Sequence, residues 1–299
     1  MPEYQNFETQ NRVSVTGRVI DFNVEERTTR TGKQALKVSG QLGVDGRGRI
    51  SFNNFIMKEK KGGGVRKDFD TFANLRGQIA TVKMAGEDNA SIVHMTGKFG
   101  VNDYVNKQGN LTTITNFQPN SAVKLDNPET GTKLEAWAEL TSYIQNIAEM
   151  DNMLRVTTLN LNFRGDIIPF DFFVLEDLRD SFMNTFAPEQ TIGYNIAYQA
   201  IGQSEPQQSA GIGVRRTSGT NRFGWVLIGA DLPKFEGEVG AISTEVIKDG
   251  MTKRAAMLAD IQSKGYQGRA GLGAVPTQRN NSWNNPSTAM AEDDWDLDY

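Results

Sequence analysis

The chain has 299 residues, with 32 lysines and arginines against 36 aspartates and glutamates, a formal net charge of -4, no cysteine and one histidine. That length holds about two domains with proper cores. Without cysteine there are no disulfides, thiolate metal sites or thiol nucleophiles, and His94 alone supports neither a polyhistidine metal site nor more than one candidate triad base. A non-enzymatic protein without cofactor or metal is therefore expected. The segment from Met1 to Arg12 is polar, and no run approaches membrane-spanning length, so a cytoplasmic protein with no membrane partner is expected.

Taken in order, Val13, Val15 and Val19 alternate with Ser14, Thr16 and Arg18, which predicts a half-buried strand through about Asp21. By the same alternation Phe22 shares the face of Arg18. Residues 27–33 (RTTRTGK) read as a turn, followed by a second strand through about Gly43, a hairpin at 45–48, and a third strand from about Arg49 to Lys58. Residues 58–67 (KEKKGGGVRK) carry three consecutive glycines, whose backbone entropy disfavours a rigid element. The P-loop spacing is missing there. Asp68 looks like a helix cap, with Phe69, Phe72 and Leu75 at helical spacing before Gly77. Gln78 to Met84 has a strand pattern. Ser91 to Tyr104 is a longer strand, turned by Asn106 to Gly109 into a last one at Leu111 to Phe117.

The stretch from Arg27 to Lys67 holds eleven basic residues (Arg27, Arg30, Lys33, Lys37, Arg47, Arg49, Lys58, Lys60, Lys61, Arg66, Lys67) and two acids (Asp45, Glu59). An excess of nine positive charges in a net acidic chain points to a polyanionic partner. Phe52 and Phe55 lie among the cations, and single-stranded nucleic acid is bound by cations for its phosphates and aromatic faces for its unstacked bases. A solvated basic face over two core phenylalanines is the plain alternative. The two rings have opposite strand parity, so one faces outward; Phe52 is the expected stacking ring, with Phe22 as a further candidate. On the later strand Lys98 shares a face with His94 and Thr96, opposite Val93, Met95 and Phe99, and joins the phosphate candidates.

Three strands, a helix and a long hairpin is the order of an OB-fold, a five-stranded Greek-key barrel. The run from Gly97 through Tyr104 to Gly109, followed by Thr112 and Thr113, resembles the loop 4-5 hairpin of bacterial single-stranded DNA-binding proteins, and Phe52 resembles the strand 3 aromatic of that family. The resemblance covers about residues 11–125. It implies that Tyr104 and Phe52 stack bases.

Residues 126–132 (DNPETGT) read as turn-rich, after which the pattern repeats. Strands are predicted at Ala136 to Ala148, Met153 to Phe163 and Ile167 to Val174, a helix at Glu176 to Phe186, and strands at Ile192 to Ile201 and Phe223 to Ile228. The loop between the last two is rich in Ser, Gly and Gln and carries Arg215, Arg216 and Arg222. From Asp151 to Lys234 seven basic residues face nine acids, so binding there is expected only around that loop, with Trp225 or Tyr194 as possible stacking rings; a spacer or partner-binding module is the other reading. Met251, Ala255, Leu258 and Ile261 share one face of a helix at Asp249 to Lys264. Tyr266 to Ala291 is a linker composition, and Glu292, Asp293, Asp294, Trp295, Asp296, Leu297, Asp298 and Tyr299 form an acidic, apolar-tipped end. This end resembles the tail of bacterial and phage single-stranded DNA-binding proteins, which recruits replication and repair enzymes.

The expectation is mainly β: OB-fold domain 1 at 1–125, a linker at 126–135, OB-like domain 2 at 136–240, a helix at 241–265, and a flexible linker with the acidic tip at 266–299. The resemblance implies a phage-type protein that coats single-stranded DNA in replication, recombination or repair, in a bacterial host's cytoplasm, and recruits polymerase, helicase or nuclease through its tip. Self-association is compatible. An RNA-binding or strand-annealing protein, and an OB-based interaction scaffold, remain as alternatives.

Overall fold

The structure is a computed structural model that describes residues 9–29, 31–44, 48–60, 62–126, 132–150, 152–162, 164–203 and 221–265. Its first part comprises β1 (Asn11–Thr28), β2 (Gln34–Val44), β3 (Gly48–Met57), α1 (Lys67–Leu75), α2 (Val82–Ala85), β4 (Ile92–Val105) and β5 (Leu111–Leu125). The second comprises β6 (Glu135–Met150), β7 (Met153–Leu161), β8 (Ile167–Val174), α3 (Glu176–Thr185), β9 (Thr191–Gln203) and β10 (Asn221–Ala230), and α4 (Thr244–Lys264) follows.

Strand order gives the architecture. β2-β3-β5-β4-β1 closes through a β1–β2 pairing, and β6-β7-β8-β10-β9 closes through β6–β9. Each is the strand order of an OB barrel, the fourth and fifth strands reversed and the last paired in parallel with the third. Antiparallel pairing of β1 with β6, from Asn11↔Leu140 to Thr16↔Glu135, joins the barrels into one sheet of ten strands. A short helix closes each barrel: Phe72 and Leu75 of α1 are buried in the first, and Phe182 of α3 is buried in the second.

Three segments depart from the sequence expectation. β1 runs on to Thr28 because its first half pairs with β4 and β6 and its second half with β2. A register shift between Val19 and Asp21 reverses the alternation, as a bulge does, so that Val24 is buried and Phe22 turns toward the core instead of outward with Arg18. Residues 78–84 form no strand. β4 is already paired on both sides, so the segment has no free edge to join; Ile79 and Thr81 are buried, and a single helical turn follows at α2. Finally, α1 starts at Lys67, one residue before Asp68, whose carboxylate receives the Phe69 N–H at 3.1 Å.

The two barrels buttress each other in a mutual way. The β4–β5 hairpin of the first leans on β8: Thr115 Oγ1 donates to the Pro169 carbonyl at 2.8 Å, and Phe99 and Phe170 have ring centroids 4.4 Å apart. The β9–β10 hairpin of the second leans on β3: the Tyr198 hydroxyl donates to the Arg49 carbonyl at 3.0 Å, and a side chain at Gly48 would come within 2.9 Å of the Phe223 ring. Trp225 fills the seam, edge-on to Phe99 at 5.1 Å and to Tyr198 at 5.3 Å. α4 locks the arrangement. Ile247 and Gly250 pack on the second barrel, and Arg254 reaches both barrels, donating to the Ile167 carbonyl at 3.4 Å and pairing with Asp103 at 2.7 Å. The docked face of α4 is thus not the expected Met251, Ala255, Leu258, Ile261 stripe, of which Met251 and Ala255 are exposed.

Candidate nucleic-acid interface

Ladder register decides which side chains of β2 and β3 face out of the first barrel. Leu36, Val38, Gly40 and Leu42 pair with Ile56, Asn54, Phe52 and Ile50, and this row faces the interior. The other row, Lys37↔Phe55, Ser39↔Asn53, Gln41↔Ser51 and Gly43↔Arg49, faces outward, and each of its residues is half-buried or exposed. Phe52, the expected stacking ring, is 0% exposed. Its ring extends over Gly40, where an added Cβ would sit 2.6 Å from Phe52 Cζ, and it meets the half-buried Phe22 at 6.2 Å. A ring with no exposed face has none to offer a base. Phe55, directly across from Lys37, is the aromatic that the fold presents on this wall.

The cations gather at one end of it. Arg27 and Lys33 flank the β1–β2 turn, while Lys58, Lys60 and Arg66 belong to the β3–α1 connection and Lys67 opens α1. The two connections meet where Lys58 donates its N–H to the Gln34 carbonyl at 2.9 Å and its Nζ to Gln34 Oε1 at 2.6 Å. Some of this charge is committed. Arg66 forks onto Asp68 at 3.0 and 2.6 Å, Arg27 pairs with Glu25 at 2.5 Å, and Lys58 Nζ stands 5.8 Å from the Phe69 ring centre. The Glu25 carboxyl is held below its ordinary value, first by the Asn23 amide and then, against a burial penalty, by Arg27 and Lys37. It stays charged and offsets one cation. Lys33, Lys60, Lys67 and Arg49 have no carboxylate partner among the described residues.

Arg49 marks the other end of the lane. There Phe223 of β10 lies on Gly48, and exposed Arg222 precedes it in the strand. Between the ends lie Lys37–Phe55 and the polar pairs Ser39–Asn53 and Gln41–Ser51.

Two further candidates are placed elsewhere. Tyr104 is half-buried on the β4–β5 hairpin, next to Asp103, and that hairpin packs on β8 and α4. Lys98 is exposed on β4, across the barrel from the β2–β3 ladder, at a shallow recess with Asn11, Leu161 and Ile168. His94 bonds Thr16 Oγ1 at 2.9 Å. Tyr194 is buried, its hydroxyl shared with Ser142 and Thr158 at 3.0 and 3.1 Å, and burial pushes its phenol well above the ordinary value. Burial in the seam raises the Tyr198 phenol as well. Arg30, Arg47, Lys61, Arg215 and Arg216 lie outside the described residues, as do Glu292, Asp293, Asp294, Trp295, Asp296, Leu297, Asp298 and Tyr299. Among the described residues no group of three or more His, Asp or Glu could hold a metal ion, and no helix is long and apolar enough to cross a membrane.

A family model described as YorF matches residues 9–264. No curated protein matches the chain. Solved structures similar to it include the wild-type single-stranded DNA binding protein from Thermus aquaticus, at 9% identity and a TM-score of 0.46, covering 77% of this chain and 96% of that one. A deletion mutant of the Thermus aquaticus protein has a TM-score of 0.48 at 9% identity, with 77% and 98% covered.

Proposed function

The chain belongs to the YorF family, and we propose that it binds single-stranded DNA along the outer β2–β3 wall of its first barrel. One observation carries the reading: Phe55 stands opposite Lys37 on an outward ladder whose near end gathers Arg27, Lys33, Lys58, Lys60 and Lys67, and whose far end presents Arg49. Phosphates follow the cations, a base stacks on Phe55, and Ser39, Asn53, Gln41 and Ser51 supply neutral donors and acceptors between them. A duplex hides its base faces, so a wall with an aromatic between cations favours the unpaired strand.

The sequence supports finer parts of the proposal. Arg30, Arg47 and Lys61 belong to the same basic stretch of sequence, and Arg215 and Arg216 precede Arg222 in the chain. Tyr104 is a secondary stacking candidate, whereas Phe22, turned toward the core against Phe52, is not. The acidic end from Glu292 to Tyr299, with Trp295 and Leu297 among its carboxylates, suits a basic, apolar pocket on a replication or repair enzyme. In this role the protein coats exposed strands in the cytoplasm during replication, recombination or repair, without covalent chemistry.

Anisotropy of labelled oligo-dT, the matching duplex and the matching RNA across a salt series tests the reading. The expected result is preference for the DNA single strand, with log affinity falling against log salt by about 0.7 per phosphate contact. Equal affinity for the RNA would make the wall a general single-strand binder. Weak binding to all three would leave a solvated basic face and turn attention to protein ligands.

A further inference from the structure

The second barrel carries a copy of the same wall, and the copy differs at one decisive position. β7 and β8 pair Arg155↔Phe173, Thr157↔Asp171, Leu159↔Pro169 and Leu161↔Ile167 on their outward row. Set beside β2 and β3, Arg155–Phe173 repeats Lys37–Phe55, a cation directly across from a phenylalanine. Phe173 is half-buried like Phe55, its ring resting on Gly224, where an added Cβ would approach it to 2.9 Å. The next pair breaks the likeness. Thr157–Asp171 stands where Ser39–Asn53 stands in the first barrel.

That one carboxylate occupies the cation. Asp171 Oδ2 receives Arg155 Nη2 at 2.5 Å and Nε at 3.2 Å, and Oδ1 receives the Thr157 hydroxyl at 2.7 Å. Arg155 keeps half its side chain in solvent, so the pair itself adds little stability. Its effect on a ligand is larger: a phosphate approaching Arg155 meets a carboxylate already in its fork and is repelled. The rest of the row is covered, Leu159, Leu161 and Ile167 lying in one buried cluster with Ile242 and Ile247. In the first barrel Glu25 stands across β1 from Lys37 but gives its ion pair to Arg27, leaving the Lys37 ammonium without a bonded carboxylate among the described residues, and the rest of the outward row is not buried. Across from Ser39 that barrel has the neutral amide of Asn53.

We propose that Asp171 keeps the second barrel's wall closed to single-stranded nucleic acid, so that Arg155 and Phe173 are a latent binding pair and only the first barrel binds. This inference rests on the reading of the first barrel as a single-strand site. The neutral isostere Asp171→Asn frees the Arg155 fork beside Phe173 and creates a second site.

The test is stoichiometry by titration calorimetry, with the full chain and a dT oligomer of about 8 nucleotides, within the span of a single OB barrel. Wild-type protein is expected to bind one oligomer per chain, and Asp171→Asn two, the second weaker. Arg155→Ala added to Asp171→Asn returns the count to one. Adding Asp171→Asn to Lys37→Ala/Phe55→Ala raises the count from none to one, which keeps the test independent of the first site. A thermal melt of each variant confirms folding, since replacing a half-exposed carboxylate by its amide leaves the core untouched. A count of one for Asp171→Asn overturns the proposal, as does a count of two for wild type. No binding by wild-type protein defeats the first-barrel reading itself, and the closed-site inference with it.

Discussion

The contrast between two phenylalanines on one strand separates binding from folding. Phe55→Ala removes an outward ring and is expected to weaken oligo-dT binding about 5- to 150-fold, since stacking of one base on an aromatic contributes about 1–3 kcal/mol, with the melting temperature nearly unchanged. Phe52→Ala empties the core row between Phe22 and Gly40 and is expected to cost about 3–5 kcal/mol in urea unfolding. If the binding loss follows Phe52 and not Phe55 in variants that remain folded, the assignment of faces is wrong. The distinction was legible in the sequence: Phe52 shares parity with Ile50 and Ile56, and Phe55 with Arg49, Ser51 and Asn53. Charge and aromatic content single out the strand, and only the aliphatic partners of each ring identify the face. A second prediction at this scale concerns Tyr194. The folded chain keeps this phenol protonated above the ordinary value of 10.0, where the unfolded chain releases the proton. The unfolded state then binds fewer protons, so stability is complete below about pH 10 and falls by up to about 1.4 kcal/mol per pH unit above it. Tyr194→Phe should flatten that alkaline decline in a series of melts; an unchanged slope would assign the decline to other groups.

Elements obey constraints that no single stretch contains. The alternation of 13–19 predicts the first half of β1, but the bulge that turns Phe22 inward exists because one strand serves β4 and β6 first and β2 afterwards, and that division is a property of the barrel. The apolar pattern of 78–84 satisfies a strand template and still makes none, because every neighbouring edge is paired. α4 shows the same limit. Its strongest apolar stripe is partly in water, and its position is set by Ile247, Gly250 and one buried ion pair. The Asp103 side chain is 3% exposed and that of Arg254 13%, so removing the guanidinium strands a carboxylate whose remaining partner is the Thr113 hydroxyl. Arg254→Ala is expected to destabilise the protein by about 3 kcal/mol or more, and adding Asp103→Asn should recover part of it, read by urea unfolding. A loss below about 0.5 kcal/mol would reduce the contact to the level of an exposed pair.

At the scale of the whole molecule, the sequence shows a repeated order of elements but not the way the copies meet. Nothing local to Phe99, Phe170, Tyr198 or Trp225 marks them as seam residues; each is simply an aromatic on a strand. They become a seam because β1 pairs with β6, which sets the barrels side by side and points each fourth-to-fifth-strand hairpin at the other barrel's third strand. The same geometry bears on function. The hairpin from the second barrel sets Phe223 on Gly48 at the β2–β3 hairpin, one residue from exposed Arg222, so in the proposed reading the second barrel can add to the first barrel's lane even with its own wall closed. It also couples their folding, because parting the barrels exposes Phe99 and Phe170 and breaks the β1–β6 ladder. Calorimetry should therefore show one transition for the full chain, with calorimetric and van't Hoff enthalpies in agreement. Phe99→Ala removes the ring that touches both Phe170 and Trp225 and should lower the midpoint and broaden or split the transition. Two well-separated transitions in the wild-type chain would mean that the barrels are merely tethered, and Phe223 and Arg222 would then have no fixed place at the β2–β3 hairpin.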